Sequence, residues 1–256
     1  IERDSENTTT QALLDAAWRQ PCGHVVGVTG PPGVGKSSLC AALVAAWRAN
    51  GQSVGVIAVD PSSKASGGAL LGDRVRIVHD SADDGVFVRS MAARDRLGGL
   101  ADQTVAAMVV MRALFDWVLI ETVGVGQSET DVAEVADTVV FCVQPGSGDS
   151  LQFMKAGIVE IPHLIAVTKA DLGAAAERAR TDVAVALSLA VAGKGLWPLK
   201  VLAVSARSGA GIDGLTALRV GGLDTVRYTS TKPPAAWRGT PAENNFDLDG
   251  LTEPTV

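Results

Sequence analysis

Cysteine is scarce in this chain of 256 residues: Cys22, Cys40 and Cys142 are odd in number, far apart and without C-x-x-C spacing. Neither a disulfide framework nor a zinc site is implied, and a reducing cytosol is the natural compartment. Positive charge is in short supply as well, with 22 Lys and Arg against 28 Asp and Glu, a formal net charge of −6 and a pI near 5.1. Nucleic-acid binders present a basic face to the phosphate backbone, so no nucleic-acid partner is expected. No apolar run approaches the roughly eighteen residues that a membrane-spanning helix needs. The opening Ile1-Glu2-Arg3-Asp4-Ser5-Glu6 is polar and charged, unlike a signal peptide, so no membrane partner and a cytoplasmic location are expected. Ile1, in place of an initiating Met, reads as a cloning or maturation boundary. What the chain does have is 47% hydrophobic residues, enough to bury a sizeable core in one large domain or a domain with appendages.

Short β-prone runs alternate with longer helical patterns. The runs are His24–Thr29, Ser53–Val59, Gly85–Arg89, Trp117–Ile120, Thr138–Val143, His163–Val167 and Lys200–Val204. A helix-prone opening covers Gln11–Trp18, and later helices are expected at Ser37–Asn50, Leu100–Phe115, Glu129–Ala136, Leu151–Val159, Ala174–Val191 and Ile212–Arg219. Several runs are almost wholly apolar, as strands buried on both faces must be, which predicts a parallel sheet covered by helices. The fold class expected is a three-layer α/β architecture with its ligand at the carboxyl ends of the strands. Leu100, Thr104, Met108, Met111 and Phe115 recur at helical spacing and read as a core-facing stripe. The organisation expected is a short helical extension over residues 1–23, a nucleotide-binding domain over 24–219 and an irregular tail over 220–256, where Gly, Pro and Asn break up any periodicity.

One stretch carries chemistry. The run His24–Thr29 empties into Gly30-Pro31-Pro32-Gly33-Val34-Gly35-Lys36-Ser37-Ser38, which satisfies G-x-x-x-x-G-K-[ST] between a strand-prone and a helix-prone segment. Glycines let such a loop wrap a phosphate with inward-facing N–H groups, and the helix that follows adds the positive end of its dipole. Lys36 should reach the β- and γ-phosphates, and the Ser37 hydroxyl should ligate Mg²⁺. A chance Gly-rich turn would need every constrained position and both flanking elements to coincide.

This loop alone does not separate kinase, ATPase and GTPase. Thr168-Lys169-Ala170-Asp171 follows the run His163–Val167 in the place of the guanine-reading N-K-x-D motif, with Thr where Asn is usual. The Asp171 carboxylate can accept the N1–H and N2 amino hydrogens of guanine, whereas adenine offers an acceptor at N1. Lys169 would lie along the base, and Ser205-Ala206 follows the next strand, as in a loop that gives guanine O6 a backbone N–H. An ordinary strand-to-helix turn remains the alternative for T-K-A-D taken alone. Thr168 is expected to weaken the link between base loop and phosphate loop.

In Val118-Leu119-Ile120-Glu121-Thr122-Val123-Gly124 an apolar strand delivers an acid and, three residues later, a glycine whose N–H can meet the γ-phosphate. This is D-x-x-G logic with Glu for Asp, and Glu121 would hold Mg²⁺ directly or through water. Val125 stands where a water-orienting Gln is common, so unassisted GTP hydrolysis should be slow, on the order of 10⁻⁴ to 10⁻² s⁻¹. Asp60 and Asp73 are candidates to order the metal shell or the water, although a lone Asp is more often a cap or turn residue.

These stretches together resemble the cobalamin-mutase chaperone G proteins, the MeaB, ArgK and MMAA family of SIMIBI-class P-loop GTPases. The resemblance runs from about Leu13 to Leu215. Besides the phosphate loop it rests on Val59-Asp60-Pro61-Ser62-Ser63 with Leu71-Gly72-Asp73, on Glu121-Thr122-Val123-Gly124-Val125-Gly126-Gln127-Ser128-Glu129, and on Pro145-Gly146-Ser147-Gly148-Asp149 with Leu151-Gln152 and Lys155. It implies a GTPase, binding GTP, GDP and Mg²⁺, that docks on an adenosylcobalamin-dependent acyl-CoA mutase. Methylmalonyl-CoA and isobutyryl-CoA mutase are the partners implied, with cobalamin adenosyltransferase as a further one. There the protein gates cofactor loading and protects the mutase. By the same resemblance Asp60, Asp73 and Glu121 shape the Mg²⁺ and switch region, and Gln127, Asp149 and Lys155 couple nucleotide state to the partner; a solvated helix charge is the plainer reading of Lys155. The chain after Leu218 does not look like the family's C-terminal dimerisation arm, so a homodimer would be weakened. A kinase of the lysine/arginine/ornithine transport type, a metal-insertion GTPase and a module that uses nucleotide only as a structural ligand remain open alternatives.

Overall fold

The computed structural model describes residues 8–61, 83–93, 102–122, 128–146, 162–191 and 199–217. In chain order the elements are α1 (Thr8–Arg19), β1 (His24–Thr29), α2 (Lys36–Ala49), β2 (Val54–Pro61), β3 (Val86–Ala93), α3 (Asp102–Leu114), β4 (Trp117–Glu121), α4 (Ser128–Val135), β5 (Thr138–Val143), β6 (Leu164–Val167), α5 (Ala174–Val191), β7 (Lys200–Ala203) and α6 (Ile212–Thr216). The strands form one seven-stranded sheet in the order β3-β2-β4-β1-β5-β6-β7, with every neighbouring pair parallel. The three-layer α/β fold expected from the apolar runs is therefore present.

Alternation along each strand sends side chains to opposite layers. Val26 and Val28 of β1, Val54, Val56 and Ala58 of β2, Trp117 and Leu119 of β4 and Val140 and Cys142 of β5 join one core with α2 and α6. Val25, Ile57, Val59, Val118, Ile120 and Val139 face α1, α3 and α4, while Phe141, Val143, Ile165 and Val167 face α5. Trp47 of α2 stacks on Trp117 of β4, with ring centroids 4.3 Å apart and planes 12° from parallel. At Gly27 a Cβ would come within 2.4 Å of Val132, so the missing side chain is what lets α4 lie against β1.

Strands β1 and β5 and helix α5 have the bounds expected from the sequence. β3 runs on to Ala93 rather than ending at Arg89, because its ladder with β2 continues from Val54↔Val86 through Pro61↔Ala93. Four of the five stripe residues face the core: Thr104, Met108 and Met111 are buried and Phe115 is part-buried, while Leu100 lies outside the described residues. The helix expected at Leu151–Val159 and the tail over 220–256 lie outside the described residues.

Chain order leaves β1 between β4 and β5, where the connections part to the two sides of the sheet. Open parallel sheets bind ligands at the carboxyl ends of their strands beside such a point. The carboxyl ends of β1, β4, β6 and β7 all lie on that side of the sheet.

Candidate nucleotide site

The loop after β1 is shaped by its glycines. Gly30, Gly33 and Gly35 have φ of 135°, 73° and 101°, backbone angles that L side chains rarely adopt. Gly30 is fixed twice over, since a Cβ there would lie 2.4 Å from the Cys142 carbonyl oxygen of β5. α2 then starts at Lys36, and the first bond into the helix from this end is donated by Leu39 N–H to Gly35 O, at 3.0 Å. The N–H groups of a helix's first turn point out of its end, toward whatever the preceding loop holds. No acidic side chain of the helix itself sits in this first turn, and the positive end of its dipole faces the loop.

Lys36 is buried, 7% exposed, and its ammonium donates to the carbonyls of Gly30 at 2.8 Å and Pro31 at 3.1 Å. The sequence places Lys36 for phosphate, and the fold holds it folded back over the loop that would cradle that phosphate. Register brings β4 alongside, pairing Val28 with Glu121. Glu121, also 7% exposed, accepts a 2.6 Å hydrogen bond from the Ser37 hydroxyl. Two oxygen donors predicted from motifs 84 residues apart thus meet at one point. They are the hard ligands that Mg²⁺ prefers, and the carboxylate supplies negative charge, so the residues present fit that ion.

Beneath the loop lie Cys40 of α2 and Cys142 of β5, both fully buried free thiols. Burial raises both, with Glu121 adding to the effect; Lys36 opposes it, and Cys142 is pushed up to about 12. Both are kept as neutral thiols, packed as small apolar groups. Beside them the Thr122 hydroxyl bonds that of Thr29 at 2.8 Å, while Thr122 N–H donates to Val28 O at 3.1 Å. These contacts tie the end of β4 to the end of β1, and the motifs gave no sign of them.

The loops after β6 and β7 come together. Ser205, buried after β7, donates its hydroxyl to Asp171 at 2.6 Å. That bond, followed by a main-chain one and then by Arg207 and Lys169, holds the exposed Asp171 carboxyl below its ordinary value. Ala170 N–H donates to Val204 O at 3.0 Å, and Ser208 N–H to the Ser205 hydroxyl at 3.2 Å, so the two loops form one ledge that includes Ala206. Lys169 is the only non-glycine residue with positive φ among the described residues, at 56°. Its ammonium reaches Gln144, at the end of β5, and lies 3.4 Å from Gly33 O on the phosphate loop.

Thr168 does join the two loops. Its buried hydroxyl lies 2.7 Å from Val34 O and 3.0 Å from Val143 O, so the base loop is tied to the phosphate loop by the residue expected to loosen the link. Asp60 ends up near the carboxyl end of β2, paired with Ala92; its side chain, and all of Asp73, Gly124, Gln127, Asp149 and Lys155, lie outside the described residues.

Among the described residues no helix is long and apolar enough to cross a membrane. Known proteins share both sequence and fold with this chain. A mouse protein named "Methylmalonic aciduria type A homolog, mitochondrial" is 41% identical over 196 residues, covering 75% of this chain and 47% of its own length. "GTPase ArgK" of Escherichia coli is 41% identical over 162 residues, covering 62% of this chain and 49% of its own. The chain thus spans about half the length of the curated relatives it matches. The crystal structure of a "LAO/AO transport system kinase" superposes with a TM-score of 0.61 at 27% identity, over 85% of this chain and 68% of that one. A hydrogenase maturation factor HypB from Archaeoglobus fulgidus shares the fold at a TM-score of 0.60 and 18% identity, over 85% of this chain and 100% of that one. The profile described as "Aspartate dehydrogenase, C-terminal" matches residues 213–256. A far longer match covers residues 2–227, and by it the chain belongs to the family described as "Methylmalonyl Co-A mutase-associated GTPase MeaB".

Proposed function

We propose that this chain is the nucleotide-binding unit of a Mg²⁺-dependent GTPase that regulates an adenosylcobalamin-dependent acyl-CoA mutase of the methylmalonyl-CoA or isobutyryl-CoA type. Its role there is to gate cofactor loading and protect the mutase. The observation that carries the guanine reading is the Asp171–Ser205 pair, on a ledge that Thr168 ties to the phosphate loop. Guanine presents two donors along N1 and N2, which a carboxylate held ionised accepts together; adenine sets a lone pair against it.

At the other end, the glycine loop and the first turn of α2 offer main-chain N–H groups to a polyphosphate. Lys36 exchanges its two carbonyl partners for β- and γ-phosphate oxygens, and the hydrogen bonds become charge-assisted at both ends. Ser37 and Glu121 would hold Mg²⁺, which when bound neutralises charge on those same phosphates. We assign Asp60, Asp73 and Gly124 to the switch region that senses the γ-phosphate, and Gln127, Asp149 and Lys155 to the loop that passes nucleotide state to the partner. With Val125 where a water-orienting Gln is common, attack of water on the γ-phosphate is left slow, and a docked partner supplies the acceleration. The family's name and that of the mouse relative support the mutase as that partner, and cobalamin adenosyltransferase is the second candidate. Three free thiols suit a reducing cytoplasm.

Isothermal titration with GDP, a non-hydrolysable GTP analogue and ATP tests the base reading. Phosphate release from GTP, with and without methylmalonyl-CoA mutase, tests the partner. Guanine preference, Mg²⁺ dependence and faster release with the mutase are the expected results. Equal or tighter retention of ATP overturns the guanine assignment. A phosphorylated acceptor formed in place of free phosphate moves the protein to the kinase class named for its structural neighbour.

A further inference from the structure

We infer that the base pocket reads the Watson–Crick edge of guanine and leaves N7 unread, because Thr168 commits its hydroxyl proton to the protein itself. The inference rests on the guanine reading above and narrows it. N7 carries a lone pair, so recognising it takes a donor. The Thr168 hydroxyl has one proton and two carbonyl oxygens within reach, Val34 at 2.7 Å and Val143 at 3.0 Å, and it is buried against both. Neither carbonyl can donate, so the proton stays between them.

Three main-chain donors of the same loop are committed too. Thr168 N–H goes to Val143 O at 2.8 Å, Ala170 N–H to Val204 O at 3.0 Å and Leu172 N–H to Lys169 O at 2.9 Å. Two of the three protons of the Lys169 ammonium go to Gln144 and Gly33 O, away from Thr168. Asparagine, the usual residue at this position of the motif, carries two amide protons; one can hold a strut while the other reaches the imidazole edge. Threonine keeps the strut and gives up the second contact. Thr168 is therefore a specificity-determining residue by what it withholds, and guanine nucleotides lacking N7 are accepted as readily as ordinary ones.

The test is competition binding of GDP against 7-deaza-GDP, in which N7 is replaced by C–H and the Watson–Crick edge is kept. For the unmodified chain the two affinities should agree within about twofold, since no hydrogen bond is lost. In Thr168→Asn, 7-deaza-GDP should bind more weakly than GDP by about fivefold, the scale of one neutral hydrogen bond. If the unmodified chain binds GDP well above ADP yet loses about fivefold or more on 7-deaza-GDP, this inference alone is overturned. If GDP binds no better than ADP, the guanine reading falls and takes this one with it. Should Thr168→Asn fail to fold, the ratio for the unmodified chain still decides.

Discussion

The proposed phosphate end and the proposed base end of this candidate site are built on opposite plans. At the phosphate end a main-chain loop is backed by buried side chains: glycines hold φ angles closed to other residues, Lys36 and Glu121 are 7% exposed, and two neutral thiols pack beneath. At the base end Lys169 and Asp171 are exposed, and only Thr168 and Ser205 are anchored inside. A polyphosphate is common to every nucleoside triphosphate, so it can be gripped by backbone geometry that no single side chain supplies. The base differs among nucleotides, and side chains on a surface ledge can be exchanged without disturbing the core. Substitutions at the first end should therefore cost fold or grip, and at the second, choice.

The largest effect is expected at Gly30. An alanine there must adopt a φ of 135° and place its Cβ 2.4 Å from a carbonyl oxygen of β5, so the loop or the strand has to shift. Strain and overpacking together predict a loss of about 4 kcal/mol in urea denaturation, with nucleotide binding lost alongside. Lys36→Ala comes next and separates grip from fold. Removing two charge-assisted phosphate contacts should weaken a GTP analogue by about a hundredfold in calorimetry, while the circular-dichroism melt stays cooperative. Unchanged affinity in that variant would break the phosphate half of the comparison.

The same division decides what could be read from sequence. Elements whose cause is local were legible: the apolar runs of β1 and β5, the periodicity of α5, and the glycine spacing from Gly30 to Gly35. Each motif also carries its own chemistry, which is why Lys36, Ser37, Glu121, Asp171 and Ser205 could be named as candidates before any contact was seen. Contacts made across the sheet were not legible. The Thr168–Val34 strut joins residues 134 apart, and the partner is a main-chain carbonyl, which no side-chain pattern announces. Gln144 and the Thr29–Thr122 pair went unnoticed for the same reason: strand order, not sequence spacing, makes them neighbours. β3 outran its expected end because ladder bonds with β2 do not depend on the side chains that signalled the strand.

At the base end, Asp171→Asn should leave the melt unchanged and reduce the preference for GTP over ATP by roughly ten- to a hundredfold, the range for losing a two-point base contact. A preference that survives would mean that the ledge does not choose the base. The smallest effect belongs to Ser205→Ala. The Ser205 hydroxyl is the largest cause holding the Asp171 carboxyl below its ordinary value of 3.8. A carboxyl lowered in the folded state stays ionised as pH falls below the unfolded value, and its contribution is lost only as pH passes through the folded one. Without the serine the folded value climbs back toward 3.8, so the variant's carboxylate protonates at a higher pH than the native one. At neutral pH both forms are ionised, and GDP affinity should fall only about threefold, from a ledge that has lost one neutral hydrogen bond and left the Ser208 N–H without its 3.2 Å acceptor. Carboxyl-carbon NMR titration of Asp171 in both proteins reads this directly. An identical midpoint would mean that the charge at the base end is set by Arg207 and Lys169 across the surface, and the contrast with the buried phosphate end would then lie in exposure alone.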